Sequence, residues 1–342
     1  MSKILVTGGT GYIGSHTVVE LHHAGYTPII VDDLSNSNMQ ILDQIEKIIG
    51  VRPAFHQFDL CDAAKVADFV NSNTDIKGII HFAASKAVGE SVIKPLKYYH
   101  NNFFSLINLL QAFQEKPINF VFSSSCTVYG EPDTLPVTES APVKKATSPY
   151  GNTKQVAEEI LAETAKAHDN YRVIALRYFN PVGAHKSALI GELPLGVPQN
   201  LLPFITQTAI GKRDKLTVFG GDYDTVDGSC VRDYIHVVDL AKAHVAAIQL
   251  LENGNPNGNY DVFNVGTGIG YSVLQTIAAF EKVSGKRLNY EVGPRRDGDV
   301  VQVWGDVSKS SKELGWTAEL GIDDMMASAW AWEKYLKENP IG

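Results

Sequence analysis

The stretch Val6-Thr7-Gly8-Gly9-Thr10-Gly11-Tyr12-Ile13-Gly14 decides the fold. It leaves the short apolar run Lys3–Thr7 and enters the amphipathic stretch Ile13–Ala24, so Gly8, Gly11 and Gly14 form a G-x-x-G-x-x-G pattern between a strand and a helix. Glycines at those positions allow a tight turn and a close approach of backbone to a pyrophosphate. The helix N-terminus then adds free N–H groups and a partial positive charge. A tight turn alone would also call for glycines. Here the strand before, the helix after and a second strand running into Ile29-Ile30-Val31-Asp32-Asp33-Leu34-Ser35-Asn36-Ser37 make the pattern a dinucleotide fingerprint. Asp32 stands about 20 residues past the last glycine, where a carboxylate bonds the adenosine ribose hydroxyls. The same charge repels a 2′-phosphate, which favours NAD over NADP.

The chain outward from this motif alternates short strands with helices. Strands are expected at Lys3–Thr7, Thr27–Val31, Ala54–Gln57, Gly78–Phe82, Asn119–Ser123 and Arg172–Arg177. Helices are expected at Ile13–Ala24, Met39–Ile49, Ala63–Ser72, Pro95–Gln114 and Pro149–His168. Near-continuous apolar strands separated by helices predict an α/β fold, a Rossmann-type doubly wound parallel sheet with ligands beyond the C-terminal strand ends. After Asn180 the texture changes to Gly- and Pro-rich loops, which predicts a smaller mixed α/β C-terminal substrate lobe. Leu240–Leu251 and Tyr260–Val265 are regular enough to return to the main sheet. The expected division is therefore residues 1–179 plus about 237–264 for the dinucleotide, and 180–236 plus 265–342 for the substrate.

Bulk properties exclude several classes. Among 342 residues 44% are hydrophobic and 20% charged, with a net charge of -8, which argues against a nucleic-acid partner. Cys61, Cys126 and Cys230 lie far apart without a C-x-x-C spacing, so neither a metal site nor a disulfide framework is expected. There is no room for a signal peptide before Lys3, and no apolar run approaches the roughly 20 residues that span a bilayer. These features point to a reducing, cytoplasmic location with no membrane partner.

A second constellation carries chemistry. Ser148 suits a helix N-cap and Pro149 the first helical position, which places Tyr150 and Lys154 one turn apart on one face. A free tyrosine titrates near ~10, and bringing it to ~7 takes about 4 kcal/mol of preferential stabilisation of the phenolate. An adjacent ammonium and the positive nicotinamide of NAD⁺ are suited to supply this together. Earlier in the chain the run Phe122-Ser123-Ser124-Ser125-Cys126-Thr127-Val128-Tyr129-Gly130 takes a buried strand straight into three serines. Asp59, after the third strand, suits either an adenine-side contact or a helix N-cap.

The glycine fingerprint, the serine-bearing strand end and Tyr150-x-x-x-Lys154 together resemble the extended short-chain dehydrogenase/reductases. The segments "HFAASKAVGES", "KPLKYYHNN", "RYFNPVGAH", "GVPQNLLPF", "VRDYIHVVDLA" and "PRRDGD" narrow the resemblance to the UDP-glucose 4-epimerases, over essentially the whole chain from Lys3 to about Trp332. That resemblance implies an isomerase of carbohydrate metabolism with a tightly held NAD and a UDP-hexose substrate. It makes Tyr150 the base, Lys154 its electrostatic partner and Ser125 the proton bridge, and leaves Ser123 and Ser124 as polar loop residues.

Further contacts follow from the same resemblance. Cofactor contacts would come from Tyr12 and Ile13 at the glycine turn, from Asp32 through Ser37, and from Asp59 and Leu60. The nicotinamide half would meet Phe82, Ala83, Ala84 and Lys86, together with Asn101 and Phe179. On the substrate side, Asn180 and Asn200, with Leu201 beside it, would donate to the diphosphate, which Arg232 and Arg296 would clamp. Asp299 suits the uridine ribose, and Phe219, with Thr217 and Val218 before it, the uracil. Lys86, Ser125 and Tyr150 would also touch the sugar.

The implied reaction is a transient oxidation. Tyr150 removes the proton of the sugar 4-hydroxyl through Ser125, C4 is oxidised, and the 4-keto sugar turns over and is reduced from its other face. A 4,6-dehydratase or a decarboxylase would need acids where Cys126 and Thr127 stand, so both are disfavoured; a non-catalytic NAD sensor is disfavoured by the intact Tyr150 and Lys154. Val303 occupies the position that gates sugar size in the family, and predicts partial tolerance of N-acetylated UDP-sugars. A homodimer formed through the two long helices is the remaining expectation.

Overall fold

The computed structural model describes residues 2–296 and 299–341. Asp297 and Gly298, in the Pro294–Asp299 segment quoted above, lie outside the described residues. The first half runs β1 (Lys3–Thr7), α1 (Tyr12–His23), β2 (Thr27–Asp32), α2 (Gln40–Ile49), β3 (Ala54–Gln57), α3 (Ala63–Ser72) and β4 (Ile76–His81). It continues through α4 (Val88–Ile93), α5 (Pro95–Ala112), β5 (Ile118–Ser123), α6 (Pro149–Ala167) and β6 (Tyr171–Tyr178). Local chemistry sets the ends. Ser148 accepts a hydrogen bond from the Gly151 amide and Pro149 opens α6, while Asp62 caps α3. Gly50 closes α2 with a φ of 76° that only glycine adopts without strain.

The second half holds β7 (Asn180–Val182), α7 (Leu201–Ala209), β8 (Leu216–Phe219), β9 (Val231–His236), α8 (Val237–Asn253) and β10 (Tyr260–Val265). After these come β11 (Gly270–Ser272), α9 (Val273–Ser284), β12 (Tyr290–Gly293), β13 (Gln302–Val303) and α10 (Ile322–Glu338). The main sheet has seven strands in the order β10-β6-β5-β4-β1-β2-β3, all parallel. Its order reverses between β1 and β4, and this switch point opens a crevice at the C-terminal strand ends. Burial on both faces explains the continuous apolar runs. Ile4, Val6, Ile30 and Ile80 pack under α1 and α8 on one face, and Leu5, Val31, Ile79 and Phe120 under α3, α5 and α6 on the other.

The rest of the chain forms two small sheets. One orders β11-β9-β13 with β7 also paired to β9, and the other pairs β12 with β8. Val182, Leu202, Val218, Tyr234, Phe280 and Met326 form a separate apolar cluster there. The stretch expected to rejoin the main sheet does so, since Tyr260–Val265 pairs in parallel with β6 and Leu240 and Leu251 pack with Val18. Among the described residues no helix is long and apolar enough to cross a membrane.

Candidate active site

The glycine turn lies at the switch point. Gly8 has a φ of +70°, and a Cβ there would stand 2.9 Å from the Ala83 amide nitrogen at the end of β4. A Cβ on Gly14 would fall 2.2 Å from the Gly8 carbonyl oxygen. Both positions therefore exclude any side chain. Gly11 is the N-cap of α1, and no side chain bonds the first amides of that helix, which leaves an uncapped helix N-terminus facing the crevice.

Asp32 ends β2 within this turn and is largely buried. Its carboxylate accepts from the Thr10 amide at 3.1 Å, the Leu34 amide at 2.9 Å and the Ser37 hydroxyl at 3.1 Å. Three donors leave one of its roughly four acceptor positions open. Asp33 is exposed and binds the amide and hydroxyl of Ser35, while Leu34 has a φ of 63° and Asn36 is exposed. Asp59 caps no helix: its carboxylate accepts from the Cys61 amide, and the helix cap belongs to Asp62. Leu60 is buried, and Ile13 sits in the core. Tyr12 donates to the Gly183 carbonyl at 2.7 Å, with the Lys86 ammonium 6.0 Å from its ring centroid. Phe82, Ala83 and Ala84 follow β4, and Asn101 lies on α5 with its amide on Asn102.

The residues expected to transfer the proton converge at the end of β5. Lys154 donates to the Ser123 carbonyl at 2.6 Å, and its ammonium lies 4.7 Å from the Phe122 ring centroid and 5.9 Å from that of Tyr150. Lys154 is 5% exposed, and burial brings its amine down to about 8 although the Glu158 carboxylate pulls it up. Burial pushes the Tyr150 phenol well above its ordinary value, and a hydrogen bond with Ser125 draws it back. The sequence argument expected Lys154 to help lower the phenol. In the chain alone burial dominates the phenol.

The reading of Ser123 as a loop residue is corrected, while Ser124 does follow the strand but is not a solvated residue. Ser123 is the last residue of β5 and donates to the Tyr178 hydroxyl at 3.0 Å. Ser124 is fully buried and donates to Glu158. Ser123 is held inward by Tyr178 of β6 and Ser124 by Glu158 of α6. Cys126 and Thr127 begin a short turn of 3-10 helix, Cys126–Tyr129, and burial pushes the Cys126 thiol up to about 12. Cys61 donates weakly to the Asn101 carbonyl, and Cys230 is buried.

The remaining expected residues fall into three groups. Asn180, Arg232 and Val303 share one small sheet, Arg232 standing beside Val303 and Asn180 beside Tyr234. Val303 is buried against Phe179, Val128 and Tyr129, and Arg232 acts electrostatically on the Cys126 thiol, which links this sheet to the strand end. Thr217, Val218 and Phe219 lie on β8. Arg296 crosses the Phe219 ring at 5.3 Å and grips Asp299 at 2.6 and 3.1 Å. Asn200 caps α7 by backbone only, Leu201 opening that helix, and its side-chain amide donates to Glu192 at 2.5 Å. Sequence reasoning missed Glu192, Tyr178, Glu158 and Arg177. Of these, Glu158 had a signal, being one turn past Lys154 on the same helix face.

A model of the GDP-mannose 4,6 dehydratase family matches residues 5–329. The UDP-glucose 4-epimerase of Haemophilus influenzae is 49% identical over 340 residues, covering 99% of this chain and 98% of that protein. That of Bacillus subtilis is 50% identical over 331 residues, 96% of each chain. Among solved structures, the UDP-glucose 4-epimerase of Stenotrophomonas maltophila with bound NAD and formylated UDP-arabinopyranose superposes with a TM-score of 0.94 at 46% identity, covering 99% of both chains. The enzyme of Bifidobacterium longum in complex with NAD⁺ and UDP gives 0.92 at 46% identity over the full length of both. At this identity and coverage, with the same seven-stranded sheet, the chain belongs to the UDP-glucose 4-epimerases.

Proposed function

We propose that the chain interconverts UDP-glucose and UDP-galactose by transient oxidation at the sugar C4, with NAD as its held cofactor. The observation that carries this reading is the meeting of Tyr150, Ser125 and Lys154 at a strand end whose next two residues, Cys126 and Thr127, are not acids. The side-chain-free turn at Gly8 and Gly14, the uncapped α1 terminus and the open acceptor position on Asp32 fit a dinucleotide. Bound NAD supplies the hydride acceptor and donor.

The chain's own residues do the rest. Tyr150 takes the proton of the 4-hydroxyl across Ser125 and later returns it. Lys154, held on the Ser123 carbonyl, keeps a positive charge beside the phenolate as it forms. Phe219, Arg296 and Asp299 form the uridine end, and Asn180, Arg232 and Asn200 the diphosphate end. In such a complex Arg296 would turn from Asp299 toward phosphate, which leaves the carboxylate free for a ribose hydroxyl. Binding energy is thereby concentrated on UDP, and the sugar is left free to turn. Expelling water across C5 and C6 requires a carboxylic acid and a base. Cys126, whose thiol stays protonated to about 12, and Thr127 supply neither, so the ketone is reduced again.

Val303 leaves more room than an aromatic residue there would, which supports partial use of UDP-N-acetylglucosamine. The glycine turn and the end of β5 belong to the seven-stranded sheet, and Asn180, Phe219 and Arg232 to the small sheets, which supports a division at about residues 179, 237 and 264. A cytoplasmic homodimer paired through α5 and α6 completes the reading. Leu96 and Phe104 of α5 support it, as apolar side chains 80% and 50% exposed. The test is to incubate the purified protein with UDP-galactose and assay UDP-glucose without added NADH. Conversion is expected; none from protein that releases NAD on denaturation would sink the reading.

A further inference from the structure

Three side chains of α6 stand four residues apart, a rise of about 6 Å each, and each lies against the serine run at the end of β5. Tyr150 meets the Ser125 hydroxyl, Lys154 the Ser123 carbonyl, and Glu158 the Ser124 hydroxyl. Glu158 is itself clamped: Arg177 of β6 donates to it from Nε at 3.0 Å and from Nη2 at 2.6 Å, and both side chains are 7% exposed. Arg177 continues to the Tyr129 hydroxyl at 3.1 Å, and Tyr129 donates to Asn264 at 2.6 Å. The carboxylate therefore has three donors and no freedom to turn.

We propose that Glu158 is a positioning residue for the reaction: pinned by Arg177, it fixes Ser124, and through Ser124 it sets the register of Ser125 and the Ser123 carbonyl against Tyr150 and Lys154. Arg177 alone would account for a buried partner carboxylate. It does not account for the bond to Ser124, the residue between the two that Tyr150 and Lys154 use. The three serines thus form one ladder with α6, with Glu158 as its fixed outer rung. The inference rests on the proposed reaction for its catalytic readout only.

The charge of Glu158 also acts on Lys154. The titratable groups facing Lys154 are Tyr150 and Glu158 on its own helix and His81 at the end of β4, which burial keeps neutral by lowering it to about 3. Around them stand Tyr98 from α5, Tyr178 and Arg177 from β6, Cys126 and Tyr129 from the 3-10 turn and Tyr260 from β10. Glu158 is the negative group acting directly on the ammonium among the described residues.

Two variants of the purified holoenzyme test the ladder. Ser124→Ala keeps the Glu158–Arg177 ion pair and removes the rung. The expected result is a kcat lower by at least tenfold with KM for UDP-galactose within twofold, since a shift of about 1 Å at a reacting group can cost about 100-fold. Glu158→Gln keeps an acceptor for Ser124 and removes the charge. Lys154, followed by 13C NMR of labelled lysine and assigned with Lys154→Met, is then expected to titrate about one pH unit lower than in the wild type. Folded Ser124→Ala protein with wild-type kcat, or folded Glu158→Gln protein with an unmoved Lys154 titration, overturns the proposal. Should Glu158→Gln not fold, because it leaves Arg177 unpaired, Ser124→Ala decides by kcat. A wild type that holds NAD yet turns nothing over refutes the proposed reaction instead, and the Lys154 titration then judges the ladder.

Discussion

Replacing Lys154 with methionine should make the protein more stable at neutral pH while disabling it. Lys154 is 5% exposed, and burial lowers its amine from the ordinary 10.5 to about 8. The folded state therefore binds this proton less tightly than the unfolded chain. The sign follows: below about pH 8 folding carries the full penalty, and the penalty fades as pH rises from about 8 toward 10.5. A drop of that size corresponds to about 3 kcal/mol. Methionine has similar volume, carries no charge and forgoes one hydrogen bond to the Ser123 carbonyl, about 1 kcal/mol. The net expectation is a variant roughly 2 kcal/mol more stable at pH 7, with the advantage gone by about pH 10. Urea unfolding of both proteins at the two pH values, with nucleotide removed, measures this. Turnover should fall by about 10²–10⁴. A variant less stable than wild type at pH 7, or a difference that does not change with pH, would refute the reasoning.

Other substitutions separate the remaining parts of the site. Tyr150→Phe should lower kcat by about 10³ or more with UDP affinity unchanged by calorimetry, because the phenol serves proton transfer and not diphosphate binding. Gly14→Ala puts a methyl 2.2 Å from the Gly8 carbonyl oxygen, and should yield protein that retains less than a tenth of the nucleotide found in wild type after denaturation. Val303→Tyr should lower the kcat/KM ratio of UDP-N-acetylglucosamine to UDP-glucose by at least tenfold. Undetectable wild-type turnover of the N-acetylated sugar would show that Val303 admits nothing extra.

Much of the fold was legible because its signals are local. The glycine fingerprint, the Ser148-Pro149 start of α6 and the apolar strand runs each depend on a few neighbouring residues, and each element formed within a few residues of its expected ends. The helix spacing that joins Tyr150 to Lys154 is equally local. Asp59 shows the limit: its carboxylate looked like a possible cap, and only the backbone path showed that Asp62 has that role.

The sequence by itself determined the parallel sheet, the switch-point turn and the pair Tyr150–Lys154, since these follow from hydrophobic period, glycine sterics and helical rise. Tertiary structure alone decided what the three serines do. Ser123 and Ser124 turn inward because Tyr178 and Glu158, from distant parts of the chain, offer them buried polar partners, Glu158 itself being held by Arg177. It also decided the resting state of the phenol and the amine, because desolvation depends on everything packed around a group. Long-range packing of this kind leaves no periodic trace in the chain.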